Sequence, residues 1–182
     1  MSGIFGMNIK MAIYGESHGK SIGVVLDGLP PGLALDEAAI AAEMARRAPG
    51  QNALSTARKE SDTVEIQSGF FNGFTTGTPL CARIVNSDQH SKDYSILTDK
   101  MRPGHADYAG HVRYQGFNDY RGGGHFSGRL TAPLVFAGAV AKQALAQYGI
   151  IVGSHILQIN DIKEERFNPM GAVSYTHLTL PT

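Results

Sequence analysis

Residues 10–26, KMAIYGESHGKSIGVVL, contain two short apolar segments on either side of a glycine-flanked turn. Apolar and β-branched residues predict a strand over residues 10–14 and a second strand over residues 21–26. The turn between them, GESHG, places His18 where the two strands meet. Because histidine can donate or accept a proton near neutral pH, His18 is a candidate catalytic group. A capping or surface histidine fits the turn equally well when the turn is considered alone.

The residues that follow predict a helix and then two paired strands. Asp36 is a good N-cap for a helix that ends near Arg47, just before a Pro-Gly pair. Alternating apolar and polar residues predict a half-buried strand over residues 63–71, and residues 79–85 are its expected return strand. The two strands are expected to form an antiparallel hairpin with a longer loop.

A long helix is predicted over residues 129–148, with Gly149 at its end. Its predicted apolar stripe consists of Leu130, Leu134, Ala137, Ala141 and Leu145. Residues 150–159 predict a further strand. This order of strands and helices favours an α+β fold with mainly antiparallel pairing.

Between the hairpin and the long helix, residues 86–128 are polar and glycine-rich, and only residues 106–114 predict a helix. A segment of this length with little periodicity is more often a functional region than a spacer. It ends in RGGGHFSGR, residues 121–129, directly before the long helix. Glycines permit close backbone approach and a helix N-terminus favours anions, so this motif predicts a phosphate or anion cradle. The alternative is a mobile glycine turn with a solvated arginine on each side.

The segment RPGHADYAGH contains His105, Asp107 and His111. Three interpretations fit it: a metal site, a catalytic histidine with an orienting carboxylate, or loop side chains bonded to their own backbone. The spacing does not separate them, although the metal interpretation is the weakest because the chain has no HExxH motif and no paired CxxC motif.

The overall composition narrows the class of protein. Sixteen basic and sixteen acidic residues give zero formal net charge, which argues against a broad nucleic-acid-binding surface. The one cysteine, Cys81, excludes a disulfide within the chain and fits a reducing compartment. The first residues do not resemble a signal peptide, and no apolar run approaches membrane-spanning length. We therefore expect a cytoplasmic protein without membrane or nucleic-acid partners.

Six segments, in this order, resemble the chorismate synthase family: GESHGKSIGVVLDGLPPG, RRAPG, SGFFNGFTTGTP, SDQHSKDYS, RPGHADY and DYRGGGHFSGR. The resemblance runs from about Ile4 to Pro169. It implies a β-α-β sandwich with antiparallel sheets and central helices, incomplete in this chain, and assembly as a homotetramer. It also implies a lyase that converts 5-enolpyruvylshikimate 3-phosphate to chorismate. The family needs reduced FMN without net redox change, and bifunctional members reduce the flavin with NADPH.

The resemblance also implies roles for particular residues. His18 is the expected acid for the leaving phosphate, and His105 is the expected proton partner of the reduced flavin. Arg47 is expected to contact ligand anions, as substrate or NADP. The residues expected to bind FMN are His125, Phe126, Ser127 and Arg129. No metal is expected.

Two departures from the family pattern bear on these expectations. His125-Phe126 replaces the more common Arg-Ser pair, and Ala53 stands where many members carry a second ligand-binding arginine. The chain is expected to form the N-terminal part of a synthase domain over residues 1–172, inactive alone, with a non-native tail over residues 173–182. The alternatives are a small anion-binding module without catalysis and a metal-dependent hydrolase that uses the 105–111 segment.

Overall fold

A computed structural model describes residues 3–48, 61–87, 94, 97, 99–154 and 156–164. The helices and strands, in chain order, are β1 (Ile4–Phe5), β2 (Lys10–Gly15), β3 (Ser21–Asp27), α1 (Glu37–Arg47), β4 (Val64–Ser68), β5 (Phe70–Phe71), β6 (Phe74–Thr75), β7 (Leu80–Val85), α2 (Asp107–Arg113), α3 (Thr131–Ala146), β8 (Gln158–Ile159) and β9 (Ile162–Lys163). Ala53 and the predicted tail over residues 173–182 lie outside the described residues. No helix within the described ranges has the length and apolar character needed to cross a membrane.

The main sheet has five strands in the order β1-β2-β3-β7-β4, and every pair in it is antiparallel. Gly15 of β2 pairs with Ile22 of β3, and Ser21 pairs with Val85 of β7. Val64 at the start of β4 pairs with Ile84 of the same β7 strand. Residues 16–20, residue 86 and residues 61–63 therefore leave the sheet at one end, and this register creates the candidate site.

One face of the sheet supplies the hydrophobic core. The buried side chains alternate along β3 and β7, as expected for strands with one covered face, and are Ile22, Val24, Leu26, Leu80, Ala82 and Ile84. Helices α1 and α3 complete this cluster with Ile40, Met44, Phe136 and Val140. The helices are also joined by a hydrogen bond from the Asp36 amide to Gln143 Oε1, at 2.7 Å.

Most of the predicted elements are confirmed. The Asp36 carboxylate accepts hydrogen bonds from the amides of Ala38 and Ala39, at 2.8 and 3.0 Å, so it is the N-cap of α1. Strands β4 and β7 form the predicted antiparallel pair, but β4 ends at Ser68, after a bulge. The α+β class with antiparallel sheets is confirmed.

Two predictions are wrong. The apolar stripe on the long helix is partly misplaced. Leu130 and Ala137 are buried as predicted, but Leu134 is 41% exposed, and Pro133, Phe136 and Val140 are buried instead. The helix is apolar around most of its circumference, so periodicity alone does not identify its core face. Among the described residues of the strand predicted over 150–159, Gln158–Ile159 alone form a strand (β8), and its recorded partner is β9. Apolar β-branched residues favour an extended chain, but a strand also needs a partner for its backbone.

Candidate active site

His18 lies in a buried turn directly after β2. Its side chain is only 6% exposed, and its Nδ1 atom lies 3.0 Å from Ser17 Oγ. The Ser17 hydroxyl donates toward the carbonyl oxygens of Arg121 and Gly122, at 3.2 and 3.3 Å. Because its one proton points to these carbonyls, Ser17 Oγ accepts a hydrogen bond from His18 Nδ1–H. This tautomer makes Nε2 the ring nitrogen whose protonation can change.

The glycine-rich segment wraps closely over this turn. The Ser17 amide donates to the Gly124 carbonyl at 3.1 Å. A Cβ atom on Gly122, which has φ of +59°, would lie 2.2 Å from His18 Cε1. A Cβ atom on Gly124 would lie 2.1 Å from the carbonyl oxygen of Asp119. These two glycines therefore permit a close approach between two segments of this protein, and the approach to an anion stays a prediction.

The turn before the long helix, where the sequence predicts an anion cradle, is capped by Ser127. Ser127 Oγ accepts a hydrogen bond from the Arg129 amide at 3.2 Å, and the Leu130 amide donates to the Ser127 carbonyl at 3.0 Å. Ser127 thus acts as an N-cap for the turn that precedes α3. Its predicted role as a flavin ligand stays a prediction.

An aromatic ring lies beside His18, and an arginine reaches the glycine-rich loop that covers it. The Tyr94 ring meets the His18 ring edge to face, with 4.8 Å between the centroids. A Cβ atom on Gly123 would lie 4.0 Å from Arg102 Nη2, so this guanidinium reaches the same loop. The Arg102 side chain is 30% exposed and can meet solvent or a ligand.

Arg102 is oriented by Asp107, the first residue of α2. Its Nε and Nη2 atoms donate to the two carboxylate oxygens at 2.9 and 3.0 Å, and its amide donates at 3.0 Å. These hydrogen bonds lower the pKa of the Asp107 carboxyl below its ordinary value. Asp107 therefore orients an arginine.

His105 lies on the exposed loop between these two residues. Its Nδ1 atom is 3.3 Å from the Pro103 carbonyl oxygen, to which it donates. His111 packs instead beside Gly116. Within the described ranges, no three His, Cys, Asp or Glu side chains are placed to hold a metal ion. With Asp107 bound to Arg102, the metal-dependent hydrolase gains no support.

A second carboxylate cluster borders the His18 turn. Arg121 Nε and Nη2 donate to Asp119 at 2.8 and 2.6 Å, and these hydrogen bonds lower the pKa of the Asp119 carboxyl. Burial raises the pKa of the neighbouring Glu16 carboxyl, and the charge of Asp119 raises it further. His125 Nδ1 donates to the Gly15 carbonyl at 2.8 Å, which ties the glycine loop to the end of β2.

Arg47 and Arg129, which the family resemblance assigned to ligand anions and to FMN respectively, both contact one buried carboxylate. Arg47 Nη1 and Arg129 Nη1 form ion pairs with the two oxygens of Asp62. Arg129 Nε also donates to Asn86 Oδ1 at 3.2 Å. Asn86 Nδ2 in turn donates to the carbonyls of Glu16 and Gly19, at 3.0 and 2.8 Å, on either side of His18.

The residues assigned to flavin differ in their surroundings. Phe126 is 45% exposed, packs against Gly110 of α2 and lies 6.1 Å from the Tyr114 ring. His125 is also exposed, whereas Arg129 is buried. The structure thus brings His18, His125 and the Arg129 cluster together, and among the four residues assigned to flavin His125 and Phe126 have the most exposed side chains.

Sequence reasoning missed several residues of this site. Ser17 lies in GESHG and Arg102 begins RPGHADY, so both are adjacent to predicted site residues. This adjacency is the sequence signal that could have identified them. Asp62 and Asn86 carry no local signal, because the sheet register places them side by side at the end of the sheet where the turn carrying Arg129 packs. Asp62 has a φ of +50°, an uncommon conformation that marks it only once the backbone is known.

Comparison with known proteins identifies the family. The chorismate synthase family model matches residues 9–178. The chorismate synthases of Cytophaga hutchinsonii and Sulfurimonas denitrificans are 48% and 51% identical over 163 and 164 residues. These matches cover 90% of this chain but 45% and 46% of the relatives, so the chain spans less than half of their length.

A solved structure supports the same family assignment. A crystal structure of chorismate synthase aligns with a TM-score of 0.62 at 30% identity, covering 87% of this chain and 40% of that chain. The family match also extends past Pro169, the approximate end of the resemblance seen in the sequence. Because the family model covers most of the sequence, this chain belongs to the chorismate synthase family.

Proposed function

We propose that this chain supplies the N-terminal part of a lyase that converts 5-enolpyruvylshikimate 3-phosphate to chorismate. In this elimination the C–O bond to phosphate breaks, a ring carbon loses a proton and a new C=C bond forms. Family membership supports the reaction class. The observation that carries the proposal within this chain is the buried His18, whose tautomer Ser17 sets.

His18 acts in this proposal as the general acid for the leaving phosphate. With Nδ1–H directed to Ser17, the imidazolium transfers its Nε2 proton to a phosphate oxygen as the C–O bond breaks. The buried turn excludes most water from the ring, which strengthens its interaction with a phosphate.

Three arginines suit the charge of this substrate, which carries a phosphate and two carboxylates. Arg102, Arg121 and Arg47 each have a carboxylate partner and a partly exposed side chain. An arginine held by one carboxylate presents a pre-oriented guanidinium to a second anion. We propose that these groups orient the substrate with its phosphate toward His18.

Reduced FMN is the proposed cofactor, and the residues present fit it in part. The exposed Phe126 ring and the His125 imidazole suit the planar flavin, whereas the buried Arg129 does not suit its phosphate in this arrangement. When bound, reduced flavin supplies electron density to the substrate and regains it, without net redox change. His105, whose Nδ1–H is directed to Pro103, would hold the exchangeable proton at Nε2.

The remaining expectations are part of the same proposal. We propose NADPH as the reductant of the flavin and a homotetramer as the assembly of the whole protein. A cytoplasmic location is supported by the single cysteine, which needs no oxidising compartment.

A second candidate is a phosphate-binding module without catalysis. The three partly exposed arginines favour it, because they would bind anions whether or not chemistry follows. This candidate requires neither flavin nor His18. It therefore predicts phosphate binding without elimination.

A hybrid enzyme separates the two candidates. In it, the matched residues of this chain replace the corresponding part of the Sulfurimonas denitrificans relative. We expect the hybrid to release phosphate from 5-enolpyruvylshikimate 3-phosphate with reduced FMN and to release none with oxidised FMN. A folded hybrid that binds the substrate but releases no phosphate would favour the second candidate.

A further inference from the structure

We propose that Asp62 acts as an internal anion for two arginines. It holds Arg129 inside the protein, so that of these two arginines only Arg47, which is partly exposed, can bind an anion from solution. The proposal deepens the proposed function and relies on it for the natural ligand, a phosphate ester. Its test uses inorganic phosphate and needs no turnover. Asp62 is thus a positioning residue that acts through the two arginines.

The burial of the three side chains carries this inference. The Asp62 carboxylate is fully buried, and its two oxygens each bind a different guanidinium. Arg129 is 3% exposed, whereas Arg47 is 20% exposed. A solvent-borne anion can therefore approach Arg47 but not Arg129 while Asp62 stays in place.

The charges of the cluster make Asp62 a competitor for such an anion. Two guanidinium groups and one carboxylate leave one net positive charge among these side chains. Replacing the carboxylate by a neutral amide would leave two positive charges close together. The attraction for a free anion would rise, because electrostatic interactions are strong at sites shielded from water.

Asn86 extends the effect of Asp62 to the His18 turn. It accepts from Arg129 Nε and donates to the carbonyls of Glu16 and Gly19. Arg129 is thereby fixed between Asp62 and the loop that carries His18. Through this connection Asp62 also fixes where Arg47 stands relative to His18.

A merely structural ion pair would behave differently from an internal anion. Loss of a structural pair lowers the stability of the fold, and phosphate affinity stays equal or falls with it. Loss of an internal anion lowers stability as well, but phosphate affinity increases. The sign of the change in phosphate affinity distinguishes the two roles.

The first experiment measures inorganic phosphate binding to the 182-residue chain by calorimetry. For folded Asp62→Asn, we expect roughly tenfold tighter binding than for the unmodified chain. The matched control is Glu65→Gln, which removes the same charge from an exposed pair with Arg83, and its affinity should stay within about twofold. Unchanged or weaker binding by Asp62→Asn would overturn the proposal.

A second measurement applies if Asp62→Asn does not fold. The Nε–H signals of Arg47 and Arg129 are assigned in ¹H–¹⁵N spectra of the unmodified chain by their loss in Arg47→Lys and Arg129→Lys. We expect phosphate to shift the Arg47 signal, while the Arg129 signal exchanges slowly with water and does not move. Equal shifts of both signals would refute the internal anion. Failure of the proposed function is a separate result, namely no phosphate release by the hybrid enzyme.

Discussion

Gly122 lies against the His18 ring, so closely that a Cβ atom at position 122 would be 2.2 Å from His18 Cε1 and 2.3 Å from Nδ1. The glycine-rich segment therefore forms a wall of the histidine turn. Its backbone carbonyls at residues 121 and 122 accept hydrogen bonds from the Ser17 hydroxyl. The same segment therefore sets both the position and the tautomer of His18.

Gly122→Ala should destabilise the chain, because the added methyl group meets the buried ring and φ at this position is +59°. We expect the free energy of unfolding, measured by chemical denaturation, to fall by about 1–3 kcal/mol. Gly128→Ala is the control, since a Cβ atom there meets nothing within 4 Å. Equal stabilities of the two variants would show that the segment does not pack against His18 as described.

Ser17→Ala should lower turnover of the hybrid enzyme without a comparable loss of substrate affinity. Without the hydroxyl, the His18 tautomer is no longer fixed, and we expect a decrease of about tenfold to a hundredfold in kcat. The control is Ser68→Ala, whose hydroxyl donates to the Pro79 carbonyl in an exposed position. An unchanged kcat in Ser17→Ala would remove this residue from the mechanism.

Local patterns predicted the elements that local interactions determine. The Asp36 cap, the alternation in β3 and β7 and the Gly-flanked turn at His18 all depend on residues that are close in the chain. The core face of α3 was not predictable, because a helix apolar on most sides acquires its orientation from the sheet it packs against.

The ion-pair cluster could not be predicted for a related reason. Asp62 and Arg129 are 67 residues apart and meet because the turn before α3 packs at the end of the sheet where β4 begins. Family resemblance named Arg47 and Arg129 as ligand-binding residues, but it said nothing of the carboxylate between them. Which side chains face a ligand is decided by such long-range pairing, and this requires the folded structure.

Asp107→Asn should change the response of the chain to acid. Hydrogen bonds from Arg102 lower the pKa of Asp107, so its stabilising contribution is complete above the ordinary value of 3.8 and is lost as pH falls through the lower, folded-state pKa. Asp107→Asn should therefore be less stable than the unmodified chain at about pH 6, and the difference should shrink in strong acid. A difference in unfolding free energy that stays constant through this range would contradict the lowered pKa of Asp107.

Glu16→Gln should have the opposite effect. Burial and the charge of Asp119 raise the pKa of Glu16, so ionisation costs stability as pH rises above the ordinary value of 4.5. A glutamine keeps a donor for Asp119 and does not ionise. We expect the variant to unfold at a higher temperature than the unmodified chain at neutral pH, and the two to converge near pH 4. A lower melting temperature at neutral pH would contradict this sign.

His105→Ala tests the exposed histidine of the loop before α2. If His105 is the proton partner of the reduced flavin, its loss should lower kcat of the hybrid by about 10²–10⁴-fold, as is typical of general acid–base groups. His111→Ala serves as the control, because His111 is an exposed histidine of α2 that the proposed mechanism does not use. Equal activity of these two variants would exclude His105 from the chemistry.

The central claim is that His18 gives a proton to the leaving phosphate, and the most direct test is His18→Ala in the hybrid enzyme. Phosphate release in a single turnover and the affinity for 5-enolpyruvylshikimate 3-phosphate are measured on the same preparation, beside the His111→Ala control. We predict that phosphate release by His18→Ala slows by about 10²–10⁴-fold while its substrate affinity stays within about threefold. Phosphate release at the rate of the control, or a loss of affinity that accounts for the whole change, would contradict the role of His18 as the acid.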